Sequence, residues 1–153
     1  MIRCQDSAFR DFFKELRARG EYPKPTYSFN KGRHRLIETE NEKYYVVFKR
    51  EFYHSFAHEF KGLYDTYPHL EGEGESINED ALKIALRKQV DQIVFIHPNG
   101  FYGVYPRLIK AFCEKNGLVR TQNKPNHYKG LGGFTETIKE TTYSFPKKLM
   151  GLF

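Results

Sequence analysis

Hydrophobic and polar positions change their period several times along this chain, and each change marks an element. From Ser7 to Arg19 the apolar residues Phe9, Phe12, Phe13 and Leu16 fall at i, i+3, i+4 and i+7, which predicts a helix with Ser7 as its N-cap and Gly20 just past its end. Arg10, Lys14 and Arg17 gather on another side of that helix. Pro23 and Pro25 end it, and Thr26 to Phe29 then reads as a short strand. Asn30-Lys31-Gly32 is turn chemistry, Arg33 to Glu38 alternates as a second strand, and the polar Thr39 to Lys43 turns into the run Tyr44-Tyr45-Val46-Val47-Phe48-Lys49-Arg50. An unbroken β-branched and aromatic run suits a central strand buried on both faces, and the lysine that closes it is held by the strand.

After Arg50 the period moves towards 3.6, with Phe52, Tyr53, Phe56, Phe60 and Leu63 on one helical face. Tyr64 to Gly74 is turn-rich and reads as a loop. Ser76-Ile77-Asn78-Glu79 has the S-x-x-E form of a capping box and precedes the stripe Ile77, Ala81, Ile84, Ala85 and Leu86, which predicts a helix capped by Ser76. Gln92 to His97 is a second continuous apolar strand, His97 to Gly100 a turn, and Phe101 to Tyr105 the returning arm of a hairpin. Leu108, Ile109, Phe112 and Cys113 predict a helix stopped by Asn116-Gly117. Leu118 to Gln122 extends, Asn123 to Phe134 is a glycine-rich basic loop, and Thr141 to Phe145 is a last strand before Pro146. This mixing predicts one α/β domain over residues 1–153, a mixed central β-sheet flanked by helices.

Composition narrows the setting. The net charge of +6 favours polyanionic partners, because each cation set on a phosphate releases condensed counterions. Cys4 and Cys113 are far apart and form no C-x-x-C pair, so neither a zinc ribbon nor a secreted disulfide scaffold is indicated. A reducing compartment is the expectation: intracellular and cytoplasmic, or the host cytoplasm for a viral chain. The charged N-terminus lacks the apolar core of a signal peptide, and no stretch reaches the length of a membrane span, so no membrane partner is expected.

Helix, meander, a third strand ending in lysine, then a helix and further strands resembles the restriction-endonuclease-like superfamily, whose signature is PD-(D/E)xK. That resemblance implies a restriction-endonuclease-like fold and a nuclease, an endonuclease hydrolysing phosphodiesters in DNA processing, with viral or archaeal relatives. It also implies Mg2+ or Mn2+ as cofactor, bound by a carboxylate on the second strand and another two residues before the lysine. Lys49 matches the lysine. Val47 stands two residues before it, and the second-strand aspartate would fall near His34 or Arg35, so two of the family's hard-oxygen ligands are replaced. Glu15 matches a first-helix glutamate often present in the superfamily, although a solvated helix face explains it better.

Other carboxylates could take over. Glu75 closes the run Glu71-Gly72-Glu73-Gly74-Glu75 before a predicted helix start, and Glu38 and Glu40 lie on or just after the second strand. The catalytic candidates are therefore Lys49, Glu15, Glu38, Glu40 and Glu75, with Glu40 and Glu75 as metal ligands. Metal-independent cleavage would need one of His34, His54, His58, His69, His97 or His127 as acid or base. His54 and His58 have i, i+4 spacing but lack the glutamate of H-E-x-x-H. The loop Lys129-Gly130-Leu131-Gly132-Gly133 matches no nucleotide-binding spacing, and as a flexible basic loop it suits contact with nucleic acid. Candidate nucleic-acid contacts are Arg33, Arg35, Arg50, Arg120, Lys124, Lys129, Lys147 and Lys148, with DNA favoured over RNA and a homodimer compatible with the chain. The alternative is a non-catalytic DNA- or RNA-binding protein that keeps the scaffold and its cations without the metal site.

Overall fold

A computed structural model describes residues 5–24, 27–29, 32–50, 62–126 and 136–153. The N-terminal stripe forms helix α1, Gln5–Ala18, which buries Phe9, Phe12 and Leu16. Ser7 lies inside α1 rather than at its cap, because the helix already runs from Gln5. Three strands follow, β1 (Tyr27–Phe29), β2 (His34–Glu38) and β3 (Lys43–Phe48), paired antiparallel in sequence order. Strand β5 (Gln92–His97) lies parallel to β3, with Val47 opposite Phe95 and Phe48 opposite Ile96. A parallel neighbour requires a crossover, and the chain between them supplies helix α2 (Leu63–Thr66), strand β4 (Gly74–Asn78) and helix α3 (Glu79–Arg87). The hairpin partner β6 (Gly100–Val104) and the terminal strand β9 (Gly151–Leu152) complete a mixed sheet of order β1-β2-β3-β5-β6-β9. The chain is thus α/β with a mixed central sheet flanked by helices.

The apolar run of β3 is buried on both faces, as its composition requires. Tyr44, Val46 and Phe48 pack with Val94 and Ile96 against Phe9, Phe12 and Leu16 of α1. Burial of each such aromatic contributes roughly 2 kcal/mol. Tyr45, Val47, Ile93 and Phe95 point the other way, into a larger cluster with Ala81, Ile109, Tyr143 and Phe145. That cluster is roofed by helix α4 (Pro106–Lys115), by α3, and by a second, antiparallel sheet of order β4-β8-β7, where β7 is Val119–Asn126 and β8 Glu136–Pro146.

Helix α4 carries Pro106 in its first turn and ends at Asn116-Gly117; Gly117 takes φ 68°, the left-handed turn that glycine allows at a helix end. Helix α3 forms in the segment the sequence predicts but starts two residues later, because its cap differs. Asn78 sits at the N-cap in extended conformation and its side chain accepts the Ala81 N–H at 2.7 Å, while Ser76 lies in β4 opposite Ser144. Both residues can cap a helix, and the β4–β8 ladder, running through Asn78, decides between them. Ile77 therefore belongs to the strand's inward face, and Glu75 stands inside β4 rather than at a helix start. The segment 64–74 holds α2 and a 3-10 turn, Pro68–Leu70, where a loop is expected. Strand β7 runs on to Asn126, inside the segment expected as a loop, and β8 starts at Glu136 rather than Thr141. The helix expected around Phe52 to Phe60 falls on residues outside those described.

Candidate functional site

Strand alternation carries Lys49 to the site. Tyr45 and Val47 face the second layer, and Lys49 is the next residue of that face, one position past the end of β3; its backbone N–H donates to the Ile96 carbonyl at 3.0 Å. On β5 the same alternation runs Ile93, Phe95, His97. In-register parallel pairing therefore sets Lys49 beside His97. From the second sheet, β4 turns Glu75 and Ile77 inward, and the Glu75 carboxylate meets both neighbours. Its Oε1 lies 3.3 Å from Lys49 Nζ and accepts the Ser76 N–H at 2.9 Å, while Oε2 lies 2.5 Å from His97 Nε2. An ionised carboxylate only accepts, so Nε2 carries the proton in this contact.

Burial separates the roles of the three. Glu75 is 2% exposed and His97 is fully buried, whereas the Lys49 side chain is 27% exposed. A buried carboxylate persists where its lone pairs are satisfied, and the ammonium, imidazole and amide do this here. Lys49 is consequently anchored from behind and presented in front.

In front of Lys49 lies a cleft of about 380 Å³. One wall is the end of the first sheet, with Arg33, His34 and Lys49. The other is the polar face of the second sheet. Register places Ser76 opposite Ser144, Asn78 opposite Thr142, Arg120 opposite Thr142 and Gln122 opposite Glu140, and all of them line the cleft. The inward face of the same sheet, with Ile77, Tyr143 and Phe145, is core. His34 Nδ1 is 2.8 Å from the Tyr45 hydroxyl. Burial, reinforced by the Lys49 and Arg33 cations, lowers the His34 imidazole from its ordinary 6.5 to about 4, so it is neutral at pH 7. Burial pushes the Tyr45 phenol upward, with the Asp80 charge adding to it.

The structure gathers some of the predicted residues and disperses others. Lys49 and Glu75 meet, and Arg33 and Arg120 share their cleft. Arg50 follows Lys49 and is exposed. Glu38 pairs with Lys43 at the far end of the meander, roughly 20 Å along β3 from Lys49 at about 3.3 Å per residue. Glu40, in the turn beyond it, is exposed; neither belongs to this site. Glu15 bonds Arg19 at 3.0 Å along α1. Arg35 points to the α1 face, its guanidinium 4.1 Å from the centre of the Phe9 ring, so alternation removes it from the cleft. Lys147 lies 3.8 Å from Glu73 and over the Tyr102 ring, and Lys148 is exposed on the same turn. His69 is exposed beside Tyr67. Lys124 takes a β7 position opposite Ile138. Lys129, His54, His58 and His127 lie outside the described residues.

The donor set beside Lys49 does not fit Mg2+ or Mn2+. Hard cations take several oxygen ligands, whereas both Glu75 oxygens are engaged by protein donors and Val47 occupies the position of the second acid. Among the described residues no three His, Cys, Asp or Glu side chains converge. His34 and His97 enter the sequence reading only among six candidate histidines and Tyr45 only as core, so their pairing with Tyr45 and with Glu75 is what sequence reasoning did not find. A histidine closing an apolar strand in step with its inward face was the available signal for His97; nothing local announces that β4 would meet it. Family models, curated proteins and solved structures yield no match to this chain.

Proposed function

We propose that the protein binds nucleic acid by seating a backbone phosphodiester in the cleft before Lys49. The observation that carries this reading is the placement of Arg33, Lys49 and Arg120 around one cleft whose remaining lining is rich in hydroxyl and amide groups. Phosphate oxygens take cations, hydroxyls and amides as partners, and the net charge of +6 acts in the same sense. A place in the restriction-endonuclease-like superfamily is part of the proposal. Helix α1, the antiparallel meander β1-β2-β3 and a lysine directly after β3 support it. Filter binding to a mixed-sequence oligonucleotide across salt concentrations tests the reading. With three cations on phosphates, affinity falls about 40-fold between roughly 50 and 200 mM salt, and Lys49→Ala lowers the slope by about one. Absence of binding at low salt overturns it.

Phosphodiester hydrolysis is the second reading, favoured by the buried Glu75–His97 pair behind a partly exposed ammonium, an arrangement that fixes the donor and can hold a proton near it. Nicking of DNA and RNA at saturating protein, with Mg2+ or Mn2+ and again with chelator, separates metal-assisted from metal-free cleavage. Loss of turnover in Lys49→Ala under these conditions supports catalysis. A wild type inactive on both substrates in every condition leaves the non-catalytic binder.

A further inference from the structure

We infer that the arm formed by β7 and β8 enters the major groove of duplex DNA beside the phosphodiester held at Lys49, an inference that rests on the nucleic-acid reading and names its substrate. Strand β4 leaves the second sheet after Asn78 pairs with Thr142. The β7–β8 ladder continues from Thr121 opposite Thr141 to Asn126 opposite Glu136, six further pairs spanning roughly 20 Å at about 3.4 Å per residue. Among the described residues the arm beyond β4 is therefore a two-stranded ribbon, a unit of little stability by itself. It is tied by the Thr121–Thr141 hydroxyl pair at 2.9 Å. Thr121, Gln122, Asn123, Thr137, Ile138 and Lys139 are exposed on it.

Size and chemistry both select the groove of B-form DNA. Two strands about 4.8 Å apart fit a major groove about 12 Å wide, which admits a β-ribbon. The major groove of an RNA duplex is too deep and narrow for such reading. Register gives the arm two faces. Beyond the phosphate-binding Arg120, the face continuous with the cleft carries Gln122 and Ile138, which match base edges: amide to adenine, aliphatic carbon to the thymine methyl. Ile138 is 44% exposed between the exposed polar neighbours Thr137 and Lys139, and a thymine methyl in the groove would cover it. Because Arg120, Gln122 and Glu140 also line the cleft, the backbone site and the groove-facing surface form one continuous strip.

The test measures binding of the full chain to a short DNA duplex, its single strand, an RNA duplex of the same sequence, and the DNA duplex with cytosines carrying glucosylated 5-hydroxymethyl groups, which fill the major groove and leave the phosphates in place. The DNA duplex should bind best, and blocking should cost about tenfold or more in affinity. Ile138→Glu should lower duplex affinity by about tenfold, with a much smaller loss on the single strand. Equal binding of blocked and open duplexes overturns the inference using wild-type protein alone, as does a folded Ile138→Glu variant with wild-type duplex affinity. Failure to bind any of the four probes overturns the nucleic-acid reading itself, and the arm's role with it.

Discussion

Glu75→Gln changes only one atom of the side chain, yet it reaches three donors. The carboxylate accepts from Lys49, His97 and the Ser76 amide at 3.3, 2.5 and 2.9 Å. An amide keeps one acceptor and turns an N–H2 towards the other side. With the N–H2 towards Lys49 and the Ser76 N–H, donor faces donor; with it towards His97, the contact survives only if the imidazole moves its proton from Nε2 to Nδ1. Breaking a buried ion pair by removing one partner costs about 3–5 kcal/mol. Lys49 keeps partial access to water, which reduces the figure, so a loss of about 2–3 kcal/mol is expected. For a chain of 153 residues that loss lowers Tm by roughly 5–10 °C. Lys49→Met serves as the comparison, since it leaves Glu75 bonded to His97 and Ser76 and should cost about 1 kcal/mol. Urea unfolding of wild type, both single variants and the double variant measures each loss and the coupling. A Glu75→Gln variant with a wild-type midpoint, or a Lys49→Met loss larger than that of Glu75→Gln, would show that the carboxylate does not organise this site.

Three further expectations follow from particular residues. His34 titrates at about 4 in the fold and near 6.5 unfolded; between these values the unfolded chain binds more protons, so stability is present in full above about pH 6.5 and declines as pH falls towards 4, by roughly 3 kcal/mol in all. Urea midpoints against pH should flatten over that window in His34→Gln, and an unchanged profile argues against a neutral buried imidazole. Asn78→Ala removes the α3 cap and should cost about 0.5–2 kcal/mol, whereas Ser76→Ala should cost less because Ser76 is a strand residue; the reverse order in thermal denaturation would restore Ser76 as the cap. The Cys113 thiol, pushed up to about 12 chiefly by burial, should resist iodoacetamide at pH 8 in the native protein and react once unfolded, and fast native labelling would mean that α4 opens readily.

The parts of this molecule legible in the sequence are those decided within a dozen residues. The stripe of α1, the doubly buried β3 and the strand Gln92 to His97 each declare their period locally, and the observed elements follow them closely. What was not legible depends on partners distant in the chain. Glu71-Gly72-Glu73-Gly74-Glu75 has the composition of a solvated loop, since glycine and glutamate are poor strand formers. Its last two residues nevertheless begin β4, because Phe145 and Pro146 pair with them from about seventy residues away. The existence of the second sheet was hidden for the same reason, as Leu118 to Gln122 and Thr141 to Phe145 read as strands with nothing to say which sheet they join.

The site lies where these two kinds of information meet. Lys49 could be placed from β3 alone, and knowledge that β3 and β5 run parallel and in register would have set His97 beside it. Glu75 is different, for it breaks the local rule by placing a charged residue, 2% exposed, on the inward face of a strand. Local preference for solvent is overcome by an ammonium, an imidazole and an amide arriving from three places in the fold. Conflicts between local preference and tertiary placement concentrate at functional sites. Glu75, rather than the more conventional positions Glu15 and Glu38, therefore holds the central place beside Lys49: Glu15 pairs with Arg19 and Glu38 sits at the far end of the meander, each where its own neighbours would have put it.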